Sequence, residues 1–574
     1  MIPLRFSSFD GVERADLVVV GTGVAGLSCA LAAAPARVAL MCKDTLLSGG
    51  STRLAQGGIA AALGQDDDPS RHARDTERVA AGLADPDAVD VLTRGAVAEI
   101  PRLIALGAGF DRQPDGELAR GREAGHGRDR ILHAGGDATG REISRALAAA
   151  CRAEESIRVH ERTFAWDLIV DGGRVIGVVA IGPEGERLLF LAPAVVLATG
   201  GFAGAWSRTT NPPGNTGDGL AIAARAGARL ADLELVQFHP TALAVGTDPM
   251  PLVTEALRGR GAIIIDEAGR RFLLADHPDG ELAPRDVVAR AIRRQLDAGH
   301  GVLLDTRQAV GEAFPRQFPT VWRLCQEHGL DPRRESLPVS PAAHYCMGGI
   351  LVDVDGRSSL PGLWACGEAA ATGVHGGNRL ASNSLLEGLV FGRRVAHDIL
   401  KRPARRFAPG AGDVASRGLA QALGRPAVFR PGAIRLASLP AMPCDASRRG
   451  GEELIKSLRA VMWKDAGLVR NDRGLTRVLG ELERLAAEAP PEAGELRNLL
   501  AAGRLVVTAA LARTESRGAH FRSDAPQADP ARCRRLVLTV PQWAGGRERD
   551  GEASVRIHIE TVAPSAETRR EAVG

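Results

Sequence analysis

Four consecutive apolar residues running into a glycine turn constrain this chain more than any other feature. Leu17-Val-Val-Val20 reads as a strand buried on both faces, and Gly21-Thr-Gly-Val-Ala-Gly26 follows it directly. The alanine-rich stretch after the turn reads as a helix and Val38-Ala-Leu-Met41 as a second strand, so the unit is β-turn-α-β. The spacing fits Gly21, Gly23 and Gly26 to the three tasks of a dinucleotide turn. The first glycine makes the tight turn, the second lets the backbone approach a pyrophosphate, and the third lets helix and strand pack closely. The helix N-terminus then presents its N–H groups to the anion.

An NAD site usually carries an acid about 20 residues beyond this turn, on the ribose. Here the second strand runs into Cys42-Lys43, which weakens NAD and leaves FAD open. A further run decides between them. Gly49-Gly-Ser-Thr52 leads into Ala55-Gln-Gly-Gly-Ile-Ala-Ala61, small residues against which a flat ring can lie. Glycine turns also follow apolar strands at Thr199-Gly-Gly201, Gly217-Asp-Gly219 and Gly367-Glu368. Several segments converging on one long ligand suit FAD. Asn383-Ser384 reads as the cap of a helix from about Leu385 to Leu400. The positive end of that helix would stabilise a reduced, anionic flavin.

A chain of 574 residues is too long for one core, because single cores stop growing at roughly 250–300 residues. A net charge of +3 gives no long-range attraction to nucleic acid or to an anionic membrane. The early apolar stretch Leu17–Leu40 is broken by glycines, Pro35 and Arg37, so it is a poor membrane span. No secretory leader pattern opens the chain. Cys29, Cys42, Cys151, Cys325, Cys346, Cys366, Cys444 and Cys533 form no C-x-x-C pair, so no metal site is expected. Free thiols in a reducing cytoplasm fit this pattern.

Between Leu168 and Gly201, apolar runs separated by Asp171-Gly-Gly173 and Pro183-Glu-Gly-Glu186 predict hairpins. A mixed region spans about Leu233 to Tyr345. The Pro403–Pro440 stretch reads as a linker. Stripes at Leu454, Leu458, Val461 and Met462, at Leu475 to Leu485, and from Leu496 predict a small helical bundle. An alternating run, Ser554 to Glu560, precedes a polar tail.

The central region carries clustered charged motifs: Gln237-Phe-His-Pro-Thr241, Thr254-Glu-Ala-Leu-Arg258, Glu281-Leu-Ala-Pro-Arg-Asp286, His344-Tyr345 and His375-Gly-Gly-Asn-Arg379. Each alone reads as a surface charge or a capping histidine. Together they are cations and donors suited to two carboxylates, for which arginine is the natural bidentate partner. With the glycine turn, A-Q-G-G-I-A-A and N-R-L-A-S-N-S-L-L-E, these motifs make the chain resemble the succinate dehydrogenase/fumarate reductase flavoprotein superfamily over about Asp16–Asp524. Arg122-Glu-Ala-Gly-His126, Arg130-Ile-Leu-His-Ala134, Asp137-Ala-Thr-Gly-Arg141 and Glu515-Ser-Arg-Gly-Ala-His-Phe521 point to its L-aspartate oxidase branch. Val236, where the superfamily usually has a polar residue, and Cys346-Met347 depart from the pattern.

The resemblance implies an α/β FAD-binding domain, Rossmann-like and of the glutathione-reductase type, with an inserted α+β capping domain and a C-terminal helical bundle. The implied bounds are 1–232 and 346–408 for the FAD-binding domain, 233–345 for the capping domain, 409–525 for linker and bundle, and 526–574 for a tail. It implies Arg285 as the proton-transfer residue and Glu123 facing a substrate amine. His239, Thr254, His344 and Arg379 would hold substrate carboxylates. FAD would touch Thr22, Val24, Ala25, Lys43, Ser51, Thr52, Arg53, Leu54, Ala55, Gln56, Gly57, Gly58, Asp218, Glu368, Ser384 and Leu385. Ser51 stands where the complex-bound relatives have the histidine that bonds the flavin, so FAD is expected to be non-covalent. The implied reaction is oxidation of L-aspartate to iminoaspartate, with oxygen or fumarate as acceptor. A quinolinate synthase would consume the product on the route to NAD. The alternative is a flavoprotein subunit of a succinate dehydrogenase or fumarate reductase.

Overall fold

The computed structural model describes residues 9–402, 451–540 and 557–563. The linker expected near Pro403–Pro440 lies outside the described residues. Strand Leu17–Val20 is the centre of a five-stranded parallel sheet, in the order Leu363–Ala365, Val195–Leu197, Leu17–Val20, Val38–Met41, Ile157–His160. All four of its residues are buried, as a strand covered on both faces requires. The glycine-turn helix Val24–Ala33 and the long helix Asn383–Lys401 pack against each other. A strand from residue 363 thus completes a sheet begun at residue 17, and the stretch between them builds separate structure.

Part of that stretch is the sheet Gly11–Arg14, Arg187–Leu191, Arg174–Ile181, Phe164–Asp171. Its hairpin turns at Gly172 and Gly173, both at positive φ (54° and 77°), as a two-residue turn matched to strand twist demands. Another part is an antiparallel sheet, Val236–Leu243, Leu337–Cys346, Val302–Asp305, Ile263–Asp266, with helix Arg285–Asp297 packed on its first two strands. Leu243, Leu257, Ile264, Val288, Ile292 and Leu304 belong to a core of its own.

The expected bundle consists of helices Glu452–Asp465, Asp472–Glu488 and Gly494–Ala512. Leu458, Met462, Leu475, Val478, Leu482, Leu485, Leu496, Leu499 and Leu500 are buried, while Leu454, Val461 and Leu479 are half-buried. Helix Gly494–Ala512 also packs on helix Asp218–Arg225, so bundle and cofactor fold share one core.

Two expectations are corrected. The long helix starts at Asn383, and its N-cap is Ser382 at φ 62°, with no side-chain cap. Asn383 cannot cap because its side chain is engaged inward, with His72 (2.8 Å) and Thr76 (3.0 Å). The second concerns the C-terminal part, read from sequence as a tail beyond about Ala525. Arg535–Thr539 is a strand inserted beside Arg229–Ala231, in the order Ala370–Ala371, Gly349–Leu351, Arg229–Ala231, Arg535–Thr539, His558–Val562. Leu536, Val537 and Leu538 are buried, and Arg535 donates to Asp232 (2.7 Å).

Candidate active site

A cavity of about 610 Å³ lies at the C-terminal ends of the parallel strands, where an open α/β sheet binds its ligands. Its first end is built on the glycine turn. Gly21 holds φ 113°, and a Cβ there would lie 2.2 Å from the Ala198 carbonyl oxygen. Gly21, Thr22, Gly23, Val24 and Ala25 line the cavity. Gly26 does not: it lets the helix close on the turn, since a Cβ would lie 1.9 Å from Gly21 O. Lys43, the Ser51–Gly58 run, Asp218, Glu368, Ser384 and Leu385 also line it.

The groups at this end fit FAD. Helices Val24–Ala33, Asp218–Arg225 and Asn383–Lys401 all start at the cavity without a side-chain cap. Their first N–H groups and positive ends suit a pyrophosphate and an electron-rich ring. Buried Gln56 Oε1 and Thr199 Oγ1 have no hydrogen-bond partner among the described residues, and both residues line the cavity. Val24 N–H donates to Thr52 Oγ1 (3.1 Å), tying the small-residue run to the turn. Lys43 Nζ donates to Asp218 (2.7 Å), Thr216 (3.0 Å) and Glu495 of the bundle (2.5 Å). Burial pushes Glu368 up to about 7, partly opposed by the Cys346 N–H that donates to it at 3.0 Å.

The other end is lined by His239, Thr254, Arg285, His344, Arg379 and Glu123, so all six substrate-site expectations converge. Arg285 opens helix Arg285–Asp297 and donates to Glu255 (2.5 Å) and Gln237 (2.9 Å). Asp286 instead pairs with Arg290 at 2.9 Å. Arg379 donates to Gln237 (3.1 and 3.2 Å) and to Ser384 (2.7 Å), and stacks over the Tyr345 ring at 4.5 Å. Burial, then the neighbouring Arg285, lowers Arg379 to about 10, so it stays charged at neutral pH. Burial alone would raise Glu255, but Arg285 and Arg258 hold it below the usual carboxylate range.

Burial holds His239 and His344 well below the usual imidazole range, and the surrounding arginines lower both further. The Thr241 N–H donates into His239 Nδ1 (3.2 Å), so the neutral ring carries its proton on Nε2. His344 Nδ1 meets Thr210 Oγ1 at 2.8 Å. Glu123 is 3% exposed. Its Oε2 accepts from Ser382 Oγ (2.6 Å), while Oε1 has no hydrogen-bond partner among the described residues. Arg122 turns away to Asp129 (2.7 Å), so Glu123 is no surface ion pair.

Sequence reasoning did not single out Gln237, Glu255, Tyr345 or Ser382 as site residues. Gln237 Oε1 accepts from both Arg285 and Arg379 and fixes their spacing. The first three stood inside the quoted motifs beside residues that were named. Ser382 gives no signal of its own, because its role follows from backbone geometry.

Fold and site together define a flavoprotein of the fumarate reductase and succinate dehydrogenase kind. The family model described as FAD binding domain matches residues 16–385, and the one described as fumarate reductase flavoprotein C-term matches 455–569. The second match carries the likeness past the bound near Asp524 read from sequence. A solved quinol fumarate reductase mutant from E. coli superposes with TM-score 0.83 at 29% identity, covering 96% of this chain and 97% of that one. A quinol-fumarate reductase with menaquinol molecules gives 0.82 at 30%, covering 96% and 98%. Within that superfamily the chain belongs to the L-aspartate oxidase family. It is 48% identical over 525 residues to the L-aspartate oxidase of Caulobacter vibrioides, covering 91% of this chain and 95% of that one. It is 45% identical over 549 residues to that of Streptomyces coelicolor, covering 91% of each.

Proposed function

We propose that this chain oxidises L-aspartate to iminoaspartate, with oxygen or fumarate as electron acceptor, and that a quinolinate synthase consumes the product on the route to NAD. One observation carries the substrate: the substrate end is rich in guanidinium charge and also holds a buried carboxylate oxygen with no hydrogen-bond partner among the described residues. Arg285 and Arg379 line the substrate end and Arg258 is buried against Glu255, so the guanidinium groups outnumber the carboxylate they share and leave positive charge for a dicarboxylate. Glu123 adds one negative charge with an unmatched oxygen, the partner for one ammonium. Succinate and fumarate have the two carboxylates but nothing for Glu123.

FAD, held non-covalently by the glycine turn, the Ser51–Gly58 run and the N-termini of three helices, supplies the hydride acceptor. His239, Thr254, His344 and Arg379 grip the carboxylates and fix Cα relative to it. Arg285 delivers the proton when fumarate is reduced, and Glu255 recharges it through their hydrogen bond. We read residues 1–232 with 346–408 as the FAD-binding domain, 233–345 as its cap, and the cytoplasm as the site of the reaction. No described helix is long and apolar enough to cross a membrane.

Glu123→Gln tests the reading, because it keeps size and hydrogen bonding to Ser382 and removes charge. A charge-assisted hydrogen bond is worth about 1.5–3 kcal/mol, so kcat/KM for aspartate should fall about tenfold or more, mainly through KM. Fumarate reduction should hold or improve. Equal losses with both substrates would show that Glu123 holds the site's shape.

A further inference from the structure

Oxidising an amino acid removes two hydrogens in different forms. The Cα–H bond breaks and its hydrogen leaves as hydride, while one N–H bond of the ammonium breaks and its hydrogen leaves as a proton. CH–NH3⁺ thus becomes C=NH2⁺ plus H⁻ plus H⁺. If Glu123 meets the ammonium, as proposed above, the proton reaches a carboxylate that is itself buried. It then needs a second carrier.

We propose that His133 is that carrier. Its Nε2 is buried, has no hydrogen-bond partner among the described residues, and lies 4.0 Å from Glu123 Oε1, the oxygen that also lacks one. A closure of about 1 Å brings the two to hydrogen-bond distance, and catalytic contacts commonly tighten in this way when substrate arrives. The His133 side chain is 21% exposed although Nε2 is not, so the remainder of the side chain reaches solvent. A ring with one nitrogen on a buried carboxylate and another face on water can pass a proton outward.

The ring sits at the end of a short three-stranded sheet. His133 follows Ile131–Leu132, the middle strand between Ile59–Ala60 and Arg120–Gly121. A Cβ at Gly58 would lie 3.2 Å from His133 Nε2, and one at Gly121 would lie 3.4 Å from its Cε1. The ring thus lies between two glycines, although a Cβ at Gly58 would first meet Ile131 Cγ2 (2.3 Å) and the Leu132 carbonyl oxygen (2.4 Å). Burial lowers the affinity of the ring for a proton, Glu123, Asp111 and Asp137 raise it, and Arg260 opposes them. The result lies below the ordinary imidazole range, so the resting ring is a neutral acceptor at pH 7.

The steps balance. The ammonium N–H breaks as Glu123 Oε1–H forms. That bond breaks as His133 Nε2–H forms, and the imidazolium releases a proton to water at its exposed side. Tautomer exchange through water resets the ring. Fumarate reduction takes its proton at Arg285 and has no use for this path.

The test uses the FAD-loaded enzyme with His133→Gly and His133→Gln. Both variants should lower kcat for aspartate by about tenfold or more, the low end of positioned acid–base effects, with aspartate KM unchanged. Imidazole should restore His133→Gly, and substituted imidazoles should do so in order of basicity. Fumarate turnover, the flavin spectrum and the succinate Kd should not move. In 15N NMR of the holoenzyme, Glu123→Gln should shift the His133 titration to lower pH. Wild-type kcat and pH profile in both variants would overturn the relay. So would equal losses with aspartate and fumarate, or loss of FAD from both variants, which would mark the ring as structural. These failures differ from failure of the aspartate reading, which shows as an unselective Glu123→Gln whatever His133 does.

Discussion

Both ends of the cavity are built for anions, and they use different parts of the chain. At the cofactor end the groups suited to the ligand are the N-terminal turns of helices starting at Val24, Asp218 and Asn383, together with Gln56 Oε1 and Thr199 Oγ1. Charge there is paired within the protein where Lys43 meets Asp218 and Glu495. At the substrate end the anion partners are guanidinium groups, and they exceed their carboxylates. Helix ends cannot turn with the chemistry, which suits a resident group bound before and after every turnover. Guanidinium groups on flexible stems can follow a ligand that enters, reacts and leaves, but they need Gln237, Glu255 and Tyr345 to hold them. Charge substitutions should therefore act on turnover at one end and on architecture at the other.

The largest effect should come from Arg285→Leu. Fumarate turnover should fall about 10²–10⁴-fold, the range of a positioned proton donor, with FAD retained. Steady-state kinetics with a flavin spectrum checks it, and near-normal turnover would erase the distinction between the two ends. Lys43→Met comes next. It leaves the Asp218 and Glu495 carboxylates without the ammonium between them and should cost about 3 kcal/mol of stability. Denaturant unfolding of the loaded enzyme measures this, with kcat little changed; a lowered kcat at full stability would give Lys43 a substrate-end role. Arg379→Met should raise the KM of every dicarboxylate by about 10- to 100-fold, since one charge-assisted contact is worth about 1.5–3 kcal/mol. A rise confined to aspartate would contradict its place among the carboxylate partners.

The smallest effect concerns pH. Glu368 titrates at about 7 in the folded chain against 4.5 ordinarily, so the folded state binds the extra proton between those values. Its contribution to stability is present below about pH 4.5 and is lost as pH rises through 7. Glu368→Gln keeps an acceptor for the Cys346 N–H and removes the titration. Melting temperatures between pH 5 and 8 should then fall less steeply than in the parent, and an unchanged slope would remove Glu368 from the account.

The sequence made the cofactor end legible because glycine turns and buried strands are local signals. Gly21 at φ 113° and the Gly172-Gly173 hairpin needed no tertiary knowledge. The arginines and histidines of the substrate end were visible only as a set of motifs, and their common cavity depended on the resemblance. The groups that hold them were not legible. The role of Glu255 depends on Arg258 one turn away and Arg285 thirty residues on, and Ser382 on a left-handed cap. Glu495 meets Lys43 across 452 residues of chain, which no spacing rule anticipates. The helix start slipped because Asn383 has an inward partner, and the strand at Arg535–Thr539 was missed because a lone apolar run after a bundle resembles a tail.

That late strand bears on how the molecule is made. Arg229–Ala231 leads directly into the strand bearing Gln237 and His239, and one of its two neighbours is Arg535–Thr539. During synthesis the ribosome emits Arg229–Ala231 some three hundred residues before the strand that pairs with its second edge. Until then the nascent chain carries an open strand edge, the kind of surface that recruits other chains. Contacts of such long range also make the final closure slow. A message truncated between residues 386 and 534 would encode every site residue expected from sequence and leave the Arg229–Ala231 edge without its late partner.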